Sequence, residues 1–329
     1  MILEALAEFL TLGELGGVVV NGLAKSALYV MIASGLTLIF GLMGVLNFAH
    51  GSLTMVGAYL GGLLMVVTVT GGTAPLTRLG LFFVAIVVVF ALLTVLGGAI
   101  ETTIIRPLYD RPPIYQILLT FGLTLVIEEV VRIVLGVYDL QPLSDWQAAL
   151  ATKPQFLREP VALGPVSAGW MSLFQILLGT ITVVGIWAFL TRTRYGLYIR
   201  AGSEDAEMAS ALGIDVRQVF TVVFALGIGL AGAAGTLLMW DPTWGASVPL
   251  AAETLLPAFI VVIVGGLGTF RGTVVAALVV GMADAVTTWW FQNAIEFTGL
   301  PELVLFLVLV VTLIVRPQGL FGVEEVGGH

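Results

Sequence analysis

The fold class this sequence predicts is an all-α polytopic membrane protein with about eight to ten transmembrane helices, some of them short or broken. Three observations predict it. Of 329 residues, 59% are hydrophobic and 10% are charged, against roughly 25% charged in soluble domains, and the mean hydropathy is +1.08. Apolar runs of about 20 residues, the length that crosses a hydrocarbon core, recur along the whole chain. These runs are continuous and rich in Leu, Val, Gly and Ala, unlike the short alternating segments of a β-barrel.

In chain order the apolar stretches cover residues 18–45, 52–70, 80–100, 114–136, 171–190, 218–240, 253–267, 272–291 and 301–315. The seventh is short enough to be a half-helix. Basic residues orient the set, because short loops rich in Lys and Arg stay in the cytoplasm. Arg106 and Arg111 lie in loop 101–113, Arg192, Arg194, Arg200 and Arg217 in loop 191–217, and Arg316 follows the last stretch. All three sites then share the cytoplasmic side, with the C-terminus cytoplasmic and the N-terminus outside. The external segment 1–17 carries Glu4, Glu8 and Glu14 and no Lys or Arg, so it lacks the basic start of a cleaved signal peptide. The loop 137–170 falls outside, with Trp146 and Trp170 as interfacial aromatics; its Lys153 and Arg158 run against the charge rule, accompanied by Asp139, Asp145 and Glu159. The chain 1–329 therefore reads as a single transmembrane domain with a cytoplasmic loop at 191–217.

Composition also excludes chemistry. The chain has no cysteine, which removes thiol catalysis, disulfides and zinc-thiolate sites. Its only lysines, Lys25 and Lys153, do not follow a glycine, so there is no phosphate-binding GxxxxGK[ST] loop. No HExxH or GxSxG stretch occurs either. No catalytic residue, no metal site, no cofactor held by this chain and no nucleic-acid partner is expected. If transport is active, its energy comes from a partner or an ion gradient.

The polar residues placed inside apolar surroundings are the informative ones. Gly41 to Gly62 contains Asn47 and His50, and the other histidine is His329. Asn47, His50 and Gly51 lie at the break between the first two stretches, and Gly265, Gly266 and Gly268 lie at a second Gly-rich break before the eighth. Backbone that leaves the helix inside a bilayer must be buried or line a cavity, which makes both breaks candidates for a pathway. His50 has three open readings: a group bonding a carbonyl at the break, a substrate or gating contact, or a pH sensor, since its ordinary pKa is about 6.5. The breaks resemble each other, and each is followed by a cytoplasmic Arg-Pro, at Arg106-Pro107 and Arg316-Pro317. Two weakly related halves and chance in a chain with 40 glycines both remain open. Gly57, Gly61 and Gly62 suit close helix packing. Charged residues within the stretches include Lys25, Glu128, Glu129, Arg132 and Asp284; Glu128 and Arg132 have the i,i+4 spacing of a helical ion pair, and Asp284 is read as a structural group or a proton site.

In the cytoplasmic loop, Ser203 reads as an N-cap with Glu204 and Asp205 in the first turn, where carboxylates suit the helix dipole. Gly213 fits the position just past the C-terminus. The expected helix has about nine residues, roughly 13 Å, with Met208, Ala211 and Leu212 as its apolar stripe. One reading lays it on the membrane surface; another gives it a partner.

The stretch Glu207-Met208-Ala209-Ser210-Ala211-Leu212-Gly213 resembles the EAA-xxx-G loop of ABC-importer permeases, with Met at the middle position instead of Ala. GLTLIFGLMGVLNFAHGSLTMVGAY, residues 35–59, is similar to the early core of the permeases of branched-chain amino acid ABC importers. Arg106-Pro107-Leu108 through Thr120-Phe121-Gly122-Leu123, Tyr195-Gly196 with Arg200-Ala201, Ala211-Leu212-Gly213-Ile214 and Val264-Gly265-Gly266-Leu267-Gly268 agree, so the resemblance runs from about residue 21 to residue 319. Within that family the chain resembles the first of two related permease subunits, the one with the Asn-Phe-Ala-His-Gly signature. The resemblance implies a prokaryotic inner-membrane permease subunit working with a second, related permease chain, two cytoplasmic ATPases that bind Mg-ATP, and an external solute-binding protein docking near 137–170 and 241–252. It makes Ser203, Glu204, Asp205, Glu207, Ala209 and Gly213 the ATPase-coupling residues. Urea or short amides as cargo, and a standalone channel or ion-coupled carrier, are the competing expectations.

Overall fold

The computed structural model of the chain describes residues 2–137, 142–241, 243–294 and 301–322. The helices are α1 (Ile2–Phe9), α2 (Leu12–Met43), α3 (His50–Thr68), α4 (Pro75–Ile100), α5 (Pro113–Val137), α6 (Pro142–Ala151), α7 (Trp170–Arg192), α8 (Arg194–Glu204), α9 (Ala206–Ala211), α10 (Val216–Leu238), α11 (Leu250–Gly265), α12 (Phe270–Asn293) and α13 (Pro301–Val315). All nine apolar stretches lie on helices. Among the described residues, six helices are long and apolar enough to cross a membrane: α2, α3, α4 with its extension to Leu108, α7, α10 and α12. The seventh stretch is indeed short, forming the 16-residue α11.

Two segments depart from the sequence reading. Where a plain external loop was expected, α6 is followed by an antiparallel hairpin of β1 (Pro160–Leu163) and β2 (Val166–Gly169) turning at Gly164. Asp139, the side chains of Asp145 and Trp146, and His329 lie outside the described residues. Where 101–113 was expected as a loop, α4 continues as a π turn over Glu101–Ile105 and a 3-10 turn over Arg106–Leu108. The hydroxyls of Thr102 and Thr103 donate to the carbonyls of Gly98 and Ala99, which competes with the regular ladder, and Pro107 cannot donate to it.

The chain divides into two compact units. One comprises Ser34–Pro154 and Val184–Leu256. Its centre is α10, whose small residues let two neighbours approach closely. Gly57 of α3 meets Gly232, a side chain at Gly235 would strike the Thr54 carbonyl, and the Thr236 hydroxyl donates to the Gly57 carbonyl at 3.2 Å. On the other side Gly97 of α4 meets Ile228. The core joins Ile39, Leu53, Leu93, Ile105, Phe224 and Ile228. Around it, Val87, Leu92 and Val95 of α4 and Leu118, Leu125 and Ile133 of α5 are exposed, a density of large apolar side chains that needs lipid or another subunit against it.

The other unit comprises Met1–Ala33, Gln155–Val183 and Pro257–His329. Here α2 packs on α12 through Gly22 against Met282 and Ser26 against Gly281. Val18, Ala285 and Trp289 form its core, with Phe9 and Trp290 alongside.

Candidate functional site

The first break is a built turn. After Gly44 (φ 63°), Asn47 accepts the Ala49 N–H through its side-chain oxygen at 3.1 Å and the His50 N–H through its carbonyl at 3.2 Å, an Asx-type turn that starts α3. His50 is the first residue of α3; its ring lies beside Gly35 of α2, and the Gly51 backbone is pressed against the Ala251 carbonyl of α11. Asn47, His50, Gly51 and Ser52 are buried. The Asn47 amide nitrogen and the Ser52 hydroxyl are buried with no hydrogen-bond partner among the described residues, which marks the turn as a place needing an explanation beyond packing.

The second break is closed by the chain's own end. Gly266 (φ 98°) and Gly268 (φ 82°) take the left-handed conformation that favours glycine, and Thr269 turns the chain into α12 by donating to the Gly266 carbonyl at 2.8 Å. The carbonyls of Val264 and Gly265, which the end of α11 leaves without helical partners, receive the N–H groups of Leu320 and Phe321 at 2.8 and 3.0 Å. This fold-back of 319–322 had no signal in the sequence beyond Gly319. Gly265 itself packs on Gly272.

The cytoplasmic loop forms two helices where one was expected. Thr193 caps α8 by accepting the Gly196 N–H at 3.0 Å, so the stretch read as a lead-in is itself helical. Ser203 is therefore not an N-cap: it sits in the last turn of α8 and donates to the Arg200 carbonyl at 2.9 Å. Asp205 is extended (φ −155°, ψ 101°) and is the real cap, accepting the Met208 N–H at 2.8 Å. The following helix α9 has six residues rather than nine, and Glu204 belongs to α8. Its C-terminus is as expected: Gly213 has φ 88°, and the Ile214 N–H reaches the Ala209 carbonyl at 3.1 Å, the closing bond of a Schellman turn. Ala209 is buried, Glu207 is exposed, and Met208 and Leu212 are 58% and 77% exposed. Asp215 then caps α10 through the Gln218 N–H at 3.0 Å.

Three charge clusters complete the inventory. Lys25 of α2 pairs with Asp284 of α12 at 2.7 Å; Asp284 also accepts the Tyr29 hydroxyl at 2.7 Å and the Thr288 hydroxyl at 3.0 Å. Sequence reasoning singled out both charged residues and missed that they meet, 259 positions apart. Glu101, which it missed altogether, is buried beneath Arg106 (2.9 Å) and Tyr109 (2.6 Å), and Arg106 donates onward to Thr221 of α10 at 2.6 Å. Burial, and after it the bond to Glu101, pushes the Tyr109 phenol up, so it stays a neutral donor. The expected Glu128–Arg132 pair is not formed. Arg132 approaches Glu129 instead, at 3.9 Å and on an exposed face, because the i,i+3 neighbour lies as near as the i,i+4 one. Lys153 is no solvated loop charge: it is buried and donates to the carbonyl of Trp240, whose ring stacks on Phe82 at 3.9 Å. Among the described residues no three His, Cys, Asp or Glu side chains gather as metal ligands.

Comparison with known proteins bears on the whole chain. No solved structure matches it. Curated relatives do: the high-affinity branched-chain amino acid transport system permease protein BraD of Pseudomonas aeruginosa is 27% identical over 311 residues, covering 93% of this chain and 95% of its own. The corresponding permease protein LivH of Escherichia coli is 28% identical with the same coverage. A probable branched-chain amino acid transport permease protein LivH of Methanocaldococcus jannaschii is 28% identical, over 91% of this chain and 90% of its own. The family model for the permease component of branched-chain amino acid transport systems matches residues 18–315. With nine-tenths of its length matched and its helices apolar enough to span a bilayer, the chain belongs to that family of permease components.

Proposed function

We propose that this chain is one of two permease subunits of an ATP-driven importer for branched-chain or other hydrophobic amino acids, the subunit marked by Asn47-Phe48-Ala49-His50-Gly51. Family membership supports the transport role and a complex with further subunits. The observation that carries the coupling to ATPases is α9: a short rod capped at both ends, with Met208 and Leu212 exposed. A pair of large apolar side chains this exposed beside Glu207 suits a cleft in a partner protein. In this reading Asp205, Glu207, Ala209 and Gly213 hold the rod's shape and charge, and Ser203 and Glu204 end the helix that carries it. ATP binding closes the ATPases, α9 moves, and Asp215 at the start of α10 passes the motion on.

The N-terminus lies outside and the C-terminus in the cytoplasm. The external binding protein delivers cargo from the outer face near 137–170 and 241–252. The breaks at Asn47, His50 and Gly51 and at Gly265, Gly266 and Gly268 shape the pathway, the first through its unpartnered Asn47 amide and the second through its fixed turn. Mg-ATP is bound by the ATPases and not by this chain. Isolation of the tagged chain from its native membrane tests the reading. The expected isolate holds a related permease chain, ATPase subunits and a binding protein retaining a branched-chain amino acid. A Met208→Glu/Leu212→Glu variant loses the ATPases alone. A binding protein retaining urea redirects the cargo; a chain isolated alone contradicts the complex.

A further inference from the structure

We propose that Lys25 and Asp284 form a transient binding site for the charged ends of a zwitterionic amino acid on its way through the membrane. This rests on the reading above and names the residues that would meet the cargo. The pair lies within apolar helices. Lys25 is seven residues into the apolar stretch that begins at 18, and Asp284 is seven residues before the end of the stretch 272–291, about 10 Å along each axis at 1.5 Å per residue. Asp284 is shut in, its side chain 5% exposed, while that of Lys25 is 33% exposed. An ammonium bared to lipid at such depth is costly, and intramembrane charges face a polar path or a partner instead.

The atoms fit the cargo. Lys25 has three donors and uses two, on Asp284 at 2.7 Å and Thr288 at 3.1 Å; the third has no partner among the described residues. Asp284 holds its Oδ2 to the Tyr29 hydroxyl and its Oδ1 to Lys25 and Thr288. An arriving α-carboxylate takes the ammonium of Lys25, and the α-ammonium beside it takes Oδ1 of Asp284. One ion pair becomes two, so no buried charge is left alone at any stage. When the cargo leaves, Lys25 and Asp284 pair again. A plain anion or cation gains no such exchange, because it leaves one of the two residues without its counter-charge. Gly22 and Gly281 hold the two helices close on either side of the pair, which fixes the acid while the flexible lysine stem moves. Weak, self-closing binding suits a permease that must release what it receives.

A purely structural ion pair predicts something different, since replacing both partners by neutral groups often leaves stability unchanged or improved. The test is a Lys25→Met/Asp284→Asn variant reconstituted with its partner subunits and ATPases, assayed for binding-protein-stimulated ATP hydrolysis and for uptake of labelled leucine. The proposal expects assembly and hydrolysis within twofold of the unsubstituted complex and uptake at least tenfold lower. A smaller loss of uptake overturns it. Failure of the double variant to assemble also overturns it, in favour of a pair that holds the fold. Uptake by the unsubstituted complex that vanishes when the proton gradient is collapsed, with ATP present, overturns it in favour of a proton site. If the unsubstituted complex takes up no leucine at all, the proposed function fails, and the cargo site falls with it.

Discussion

Lys25–Asp284 and Arg106–Glu101 are built alike, each with a carboxylate almost wholly buried beneath a base about one-third exposed and each with a tyrosine hydroxyl on the acid. They differ in the base and in its depth. Arg106 lies at the end of α4, where its flat guanidinium engages both oxygens of Glu101 and the hydroxyl of Thr221. It thereby ties the end of one span to the first turns of α10, eight residues beyond Gly213. Lys25 lies inside its span and keeps a donor unused. A rigid fork bonded to both oxygens of one acid is a fixture, whereas a point charge on a flexible stem can change partners. One design thus forms a joint in one place and, in the other, the pair proposed to receive cargo.

The largest effect expected from breaking this comparison comes from Glu101→Ala. It strips Arg106 and Tyr109 of their buried acceptor and should destabilise the protein by about 3–5 kcal/mol, the range for breaking a buried pair from one side. Thermal unfolding in detergent measures it, and Glu101→Ala/Arg106→Met should recover most of the loss. If that double variant assembles yet hydrolyses ATP without uptake, the joint also transmits motion. Next comes Gly213→Ala, which forces a side chain into the left-handed region at the end of α9, a cost of about 1–2 kcal/mol. Its expected signature is ATP hydrolysis with reduced uptake and a fall in unfolding temperature smaller than that of Glu101→Ala; normal coupling would remove α9 from the mechanism. The smallest effect belongs to Arg132→Ala. The pair with Glu129 is long and exposed on both sides, and exposed pairs contribute little, so uptake and unfolding temperature should not change measurably.

How much of this was legible in the sequence follows from range. The helices were, because apolar runs of membrane length are local signals and survive whatever packs around them. Gly213 was, because a left-handed cap is written in one residue. The cap of α9 was misplaced by two residues, from Ser203 to Asp205, since both residue types cap well and the helix running in from Thr193 decides which one is free to do so. The partners of Lys25, Glu101 and Lys153 were not legible. Each is set by helices packing across long separations, and spacing along one helix carries no trace of it. The same limit explains the missed closure of Val264 and Gly265 by Leu320 and Phe321.

In the proposed function this chain moves cargo only as part of an ATP-driven complex. Labelled leucine uptake into proteoliposomes tests it most directly, comparing the chain alone with the chain plus its partner permease, ATPases and binding protein. Accumulation is expected only in the complete assembly and only with ATP. Accumulation by the chain alone, driven by an ion gradient, would contradict it.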